Sequence, residues 1–127
     1  MNVCDMKILQ GSFGLTSSNY IAEQIKLGKW PNYAMICGLS QYTEELLSNN
    51  QPHLIGIAKE ALCFRRAVSL VTNKAAFVII DNPNSTIKEM APYVLLAQAY
   101  DYNLEIISFD SNLECDSSWQ RTIIKGN

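Results

Sequence analysis

The chain has 127 residues, 48% of them hydrophobic and 17% charged, with a formal net charge of −2. That length suits one domain, 1–127, with a single core, and the composition is that of a globular protein rather than a disordered one. The acidic balance leaves no excess of cations to neutralise a phosphate backbone, so nucleic acid is not an expected partner. Arg65-Arg66 with Lys59 is the one small basic patch.

No apolar run reaches membrane-spanning length, and the N-terminus lacks a signal peptide's basic and apolar regions. The expected setting is therefore the cytoplasm or nucleus, with reduced thiols. Cys4, Cys37, Cys63 and Cys115 are far apart in sequence and His53 is the single histidine. Such spacing offers no Cys/His metal site, and no metal or cofactor is expected.

Met6 to Gln10 reads as a first strand. Gly11 to Ser18, Gly-Ser-Phe-Gly-Leu-Thr-Ser-Ser, reads as a turn leading into a helix through Tyr20, Ile21, Ala22 and Ile25, which Gly28 and Pro31 end. Tyr33 to Cys37 is the second short strand. A polar helix start at Thr43 to Glu45 and a loop at 48–52 follow. Apolar residues recurring at three- and four-residue spacing, from Leu54 through Ile57, Ala61, Phe64 and Val68 to Val71, predict a long helix over 53–73. Arg65 and Arg66 fall off that stripe, on a solvated face.

Phe77 to Ile80 is apolar at every position, as in a strand buried on both faces of a parallel sheet. Such sheets place their chemistry just past the carboxyl ends of the strands, where Asp81 falls. In nucleotide-handling folds an acid there helps hold magnesium. The other reading is that Asp81 and Asn82 only shape the strand-to-helix turn. Ser85 or Thr86 can cap the next helix, with Glu89 completing a capping box, and Pro92 should kink or restart it. Leu104 to Phe109 is the next strand, and Thr122 to Lys125 a candidate edge strand. The layout is α/β: three layers, a mostly parallel sheet of 4–5 strands, and helices on both faces.

Strand, glycine-containing loop and helix, in that order, are the context of a phosphate-binding loop. The loop itself departs from G-x-x-x-x-G-K-[ST]. Counted from Gly11, Thr16 stands at the second glycine and Ser17 at the lysine, and only Gly11 and Ser18 fit. Thr16 brings a side chain where the backbone must approach phosphate, and Ser17 cannot supply the cation that contacts the β and γ phosphates. The helix N-terminus would still attract anions weakly.

Asp81-Asn-Pro-Asn84, followed by Glu89-Met90 and Pro92-Tyr93-Val94, resembles the D-N-T-N…W-E-M-K-P-Y-V segment of small P-loop kinases related to polynucleotide kinase and zeta toxin. The closest likeness is to the metazoan subgroup typified by ubiquitin-ligase-binding ATPases, and it covers roughly residues 6–110. The resemblance implies a P-loop kinase-like fold with ATP phosphates on Gly11 to Ser18. It places Ser40-Gln41-Tyr42 at an acidic T-D-D-Y-F-like motif and Asp81 after the third strand. The loop lysine and the paired acids are replaced, and too few residues follow Phe109 for an arginine-bearing lid, so only Arg121 offers its charge.

Phosphoryl transfer depends on positioning and electrostatic stabilisation, and each lost group costs roughly 3–4 kcal/mol. The resulting expectation is a catalytically inactive, lid-lacking kinase-like domain that binds another protein, or itself as a homodimer. Phe13, Trp30, Tyr42 and Trp119 are candidates for that surface. One alternative is a residual phosphate- or nucleotide-binding module using Gly11, Gly14, Ser17, Ser18 and Asp81. The other is an active polynucleotide kinase or ATPase in which Lys7 or Lys29 replaces the loop lysine.

Overall fold

A computed structural model describes residues 3–11, 15–39 and 55–125. Ser40-Gln41-Tyr42, the helix start at Thr43, the loop at 48–52, His53, Phe13 and Gly14 lie outside the described residues.

In chain order the elements are β1 (Asp5–Gln10), α1 (Leu15–Lys26), β2 (Met35–Gly38), α2 (Ile55–Thr72), β3 (Phe77–Asp81), α3 (Ile87–Ala99), β4 (Asn103–Ser108) and β5 (Arg121–Ile123). The five strands form one sheet in the order β2-β3-β1-β4-β5, and every pairing is parallel. β3 sits between β1 and β2, which explains its unbroken apolar run. Val78 and Ile80 face one side, Phe77 and Ile79 the other, and all four are buried.

The two faces have separate cores. Met6, Ile8, Val78, Ile80 and Ile106 pack beneath α2 and α3, whereas Leu9, Phe77, Ile79 and Ile107 pack beneath α1. The chain steps leftward from β1 to β2 over the α1 face and rightward thereafter over the α2/α3 face, as crossovers of one hand require. The last crossover, 109–120, is not helical, yet it packs on the α2/α3 face through Cys115 and Trp119.

Several boundaries differ from the sequence expectation. α1 begins at Leu15, so Leu15 to Ser18 form its first turn rather than a loop. β2 starts at Met35, because Ala34 N–H is spent on Pro31 C=O in a turn. Pro92 lies inside a continuous α3. It removes the N–H that would reach Lys88 C=O, but both residues are exposed and water can reach that carbonyl. Trp30 is only 7% exposed, edge-on to Tyr20 and tilted against Phe77, so it belongs to the core rather than to a partner surface. Arg66 is not simply solvated: its Nε donates to Ile36 C=O at 3.1 Å and ties α2 to β2.

Candidate functional site

β1 and β3 are neighbours whose connections leave over opposite faces, through α1 and α3. A crevice opens at such a switch point, outside the carboxyl ends of the strands. Gly11 follows β1 there, and Asp81 closes β3, level with Leu9 of β1 and Gly38 of β2.

Two asparagines beside Asp81 organise this end of the sheet. Asn82 accepts from Leu39 N–H at 2.7 Å, just past β2, and its Nδ2 donates to Cys63 Sγ of α2 at 3.6 Å. Asn84 Nδ2 donates to Leu9 C=O of β1 at 2.7 Å and to Asn82 C=O at 3.2 Å. Pro83 C=O accepts Gly11 N–H at 2.8 Å. The Asn-Pro-Asn turn thus stitches β3 to both its neighbours. Asn84 has φ +48°, a left-handed conformation that asparagine tolerates better than most residues.

The Asp81 carboxyl receives the Ser17 hydroxyl. Ser17 is buried because it lies four and eight residues before Ile21 and Ile25, on the sheet-facing stripe of α1, whereas Ser18 is exposed. The hydroxyl that meets the acid is therefore one residue nearer Gly11 than the motif count from that glycine gives. The span from Gly11 to this serine is one residue shorter than in G-x-x-x-x-G-K-[ST].

Gly11 has φ +78°, and a Cβ there would lie 2.9 Å from Leu113 Cδ1 and 3.2 Å from Asp110 Cβ. The irregular 109–120 strap comes down onto the start of the loop, where only glycine fits. Gln10 and Arg121 hold the strap. Gln10, fully buried, donates to Glu114 C=O at 2.7 Å. Arg121 Nη2 contacts Gln10 Oε1, Ser108 Oγ, Asp110 C=O and Leu113 C=O at 3.0–3.2 Å.

All ten lysines and arginines of the sequence fall within the described residues. Lys7 points to the α1 face and pairs with Glu105 at 2.9 Å. Burial alone would raise the Glu105 carboxyl; hydrogen bonds from Thr122 and Lys7, with the Lys7 charge, outweigh it and hold the group below its ordinary range. Lys29 follows the far end of α1, about 18 Å along the helix axis from the loop. Neither stands where a loop lysine would.

Beside the turn a cleft of about 450 Å3 is lined by Leu39, Phe64, Pro92 and Tyr93, by Asn82 and Asn84, and by Lys88 with two acids, Glu60 and Glu89. Lys88 is its cation. Sequence reasoning missed this wall because Phe64 and Tyr93, packed edge to face, look like ordinary core positions in their own helices. Cys37 nearby is inert: burial, reinforced by Cys63, pushes its thiol up to about 12 against the opposing pull of Arg66. Among the described residues no cluster of His, Cys, Asp and Glu could hold a metal ion, and no helix is long and apolar enough to cross a membrane.

Burial raises the Asp81 carboxyl above its ordinary value, and the Ser17 hydrogen bond offsets this only in part. The folded state thus holds the Asp81 proton more tightly than the unfolded chain. Stability falls as pH rises from the usual aspartate range through the raised value, and above it the full penalty persists. Asp81→Asn keeps the shape and a partner for Ser17, so it should raise Tm at neutral pH. The gain should vanish below about pH 3.9. Thermal melts across pH check this; a lower Tm for the variant at pH 7 would contradict it.

No protein-family model matches the chain, and a search of curated proteins returned no match. Solved structures do resemble it. A cysteine-to-alanine mutant of the APS kinase CysC of Mycobacterium tuberculosis matches with TM-score 0.62 and 13% identity, covering 100% of this chain and 90% of that one. The same kinase in complex with AMPPNP and APS matches at 0.61 and 11%, covering 100% and 92%. A putative kinase from Chloroflexus aurantiacus matches at 0.60 and 10%, covering 85% of this chain and 60% of that one. Identities this low speak to the fold alone. With five parallel strands in one sheet and helices on both faces, this chain has a P-loop kinase-like α/β fold.

Proposed function

We propose that this chain is a catalytically silent P-loop kinase-like domain of the polynucleotide-kinase and zeta-toxin kind, working as a protein-interaction module in the cytoplasm or nucleus. The observation that carries the reading is the missing loop cation: Thr16 precedes Ser17, the serine that meets Asp81, while Lys7 is paired with Glu105 and Lys29 lies past the far end of α1. A magnesium-bound nucleoside triphosphate needs a cation at the β and γ phosphates, with a loop hydroxyl and an acid together holding the metal. Here the hydroxyl and the acid are in place, but the span from Gly11 to Ser17 is short by one residue and its lysine position is not a cation. These residues do not fit that ligand. Arg121, the candidate for lid chemistry, is occupied by the strap.

A second reading, residual binding of phosphate or nucleotide without turnover, draws support from the cleft in which Lys88 stands beside Asn82 and Asn84, against the opposing charges of Glu60 and Glu89. Calorimetric titration of ATP with magnesium separates the two. The silent domain should give no heat and no thermal stabilisation. Micromolar binding lost in Asp81→Ala would overturn that reading, and loss in Lys88→Ala instead would locate the ligand in the cleft.

A further inference from the structure

The cleft beside the Asn-Pro-Asn turn has a polar floor at Asn84, which is 1% exposed. The Asn84 amide nitrogen is spent inward, on Leu9 C=O and Asn82 C=O. Its carbonyl oxygen receives no hydrogen bond among the described residues, yet it is not sealed off: Arg121 Nε is the one fully enclosed polar side-chain atom there without a partner. A buried acceptor without a donor is costly, and this one opens on the cleft. Asn82 offers less, since its oxygen already takes Leu39 N–H and its nitrogen reaches Cys63 Sγ.

The walls are α2 and α3, and residues four apart on a helix lie one above the other. Glu60 therefore heads the row of half-buried Phe64, and Glu89 the row of buried Tyr93. Lys88 heads the row of exposed Pro92. The two acids thus stand on the inner rows and the lysine at the outer rim. All three are exposed, and among the described residues no ion pair joins Lys88 to either acid. Glu89 Oε1 takes the Thr86 hydroxyl at 3.2 Å, which leaves its charge in place. The α3 N-terminus would draw an anion, but its donors are engaged. Ile87 N–H goes to the Glu114 carboxylate at 2.6 Å and Glu89 N–H to Thr86 Oγ1 at 3.1 Å.

We infer that this cleft binds a small organic cation, a protonated amine carried on an aromatic or branched apolar body. The ammonium donates to Asn84 Oδ1, with Glu60 and Glu89 supplying the opposite charge. Phe64, Tyr93, Pro92 and Leu39 take the apolar body, and aromatic walls attract a cation as well. A volume of about 450 Å3 suits a small-molecule site. Two acids and one lysine leave a negative charge over, which favours an amine and repels phosphate. The ligand is thus of another class than the one in the residual-binding reading, and the inference does not rest on the silent-domain reading.

Phenethylammonium titrated into the nitrogen-labelled chain, followed by magnetic resonance, tests it. Phenethyl alcohol is the uncharged match, phenylpropionate the anion of like shape, and inorganic phosphate the bare anion. The amine should bind saturably in the millimolar range or tighter, moving the side-chain amide signals of Asn82 and Asn84 and the backbone signals of Lys88 and Glu89. The alcohol should bind at least about threefold more weakly, and neither anion should bind measurably. Glu60→Gln and Glu89→Gln should each weaken the amine about threefold, the worth of one exposed ion pair. Glutamine at 89 keeps the capping box. Lys88→Gln, at an exposed position, should strengthen it by about twofold, because a like charge is removed. Alcohol bound as well as amine, no saturation at tens of millimolar, or shifts confined to residues outside the cleft overturns the inference. So does an amine weakened by Lys88→Gln. Phosphate bound in the cleft and lost in Lys88→Gln overturns it in favour of the residual-binding reading. ATP with magnesium, titrated separately, decides the silent-domain reading and leaves this one standing or falling on the amine.

Discussion

Arg121→Leu should destabilise the chain by about 2–4 kcal/mol in urea denaturation at neutral pH. The guanidinium sits among uncharged oxygens, with Gln10 Oε1 at 3.2 Å and Leu113 C=O at 3.0 Å the partners most dependent on it. Ser108 keeps a second bond, to Asp110 C=O, but Gln10 is fully buried. Each buried acceptor left without a donor costs about 1–3 kcal/mol. Against this, Arg121 Nε is itself buried without a partner, and removing it returns part of the loss. Lysine should not rescue the site, because one ammonium cannot reproduce the planar fork. Gln10→Leu combined with Arg121→Leu should cost less than the two single losses together, since donor and acceptor leave as a pair. Strict additivity would mean that Arg121 acts through packing alone. A loss below 0.5 kcal/mol, within the range of ordinary surface changes, would mean that the strap holds itself.

How far the fold and site could be read in the sequence depended on whether a residue's environment was set locally. β3 was legible because a run apolar at each position has one economical home, the middle of a parallel sheet. The long helix was legible from Phe64 and Val71 recurring on one stripe, and the α3 cap from Thr86 and Glu89. Ser17 and Ser18 were not separable. Serines disfavour helix interiors and favour turns, yet both lie in α1, and which of them meets Asp81 depends on its phase against β3. Trp30 was misjudged because its cover is not local. Hydrophobic spacing marks a residue as apolar-faced, but what covers that face comes from elsewhere in the chain, as Tyr20 and Phe77 cover Trp30. Arg121 pointed to lid chemistry, and only the β4–β5 crossover reveals its structural task.

Asn84→Ala should cost about 2–4 kcal/mol, and the size of that loss bears directly on function. Asn84 is 1% exposed with φ +48°, and its amide reaches Leu9 C=O and Asn82 C=O. Alanine removes both bonds and also pays for the left-handed backbone, about 1–2 kcal/mol. Asn84→Gly removes the bonds but not the conformational ease, so it should fall between the parent and alanine. Asn84→Asp should match or exceed alanine, because a carboxylate would face two carbonyl oxygens instead of donating to them. Amide exchange at Gly11, which bonds Pro83 C=O, should quicken in step with the loss, since the same turn holds both. Leu39, held by Asn82, should respond less. This graded pattern is what a strand clamp predicts. If Asn84→Ala instead left stability within 0.5 kcal/mol of the parent, the turn would not need its asparagine to stand. The polar end of the Asn82–Asn84 cleft would then be better explained as a ligand contact, and the residual-binding reading would gain the weight that the clamp now carries.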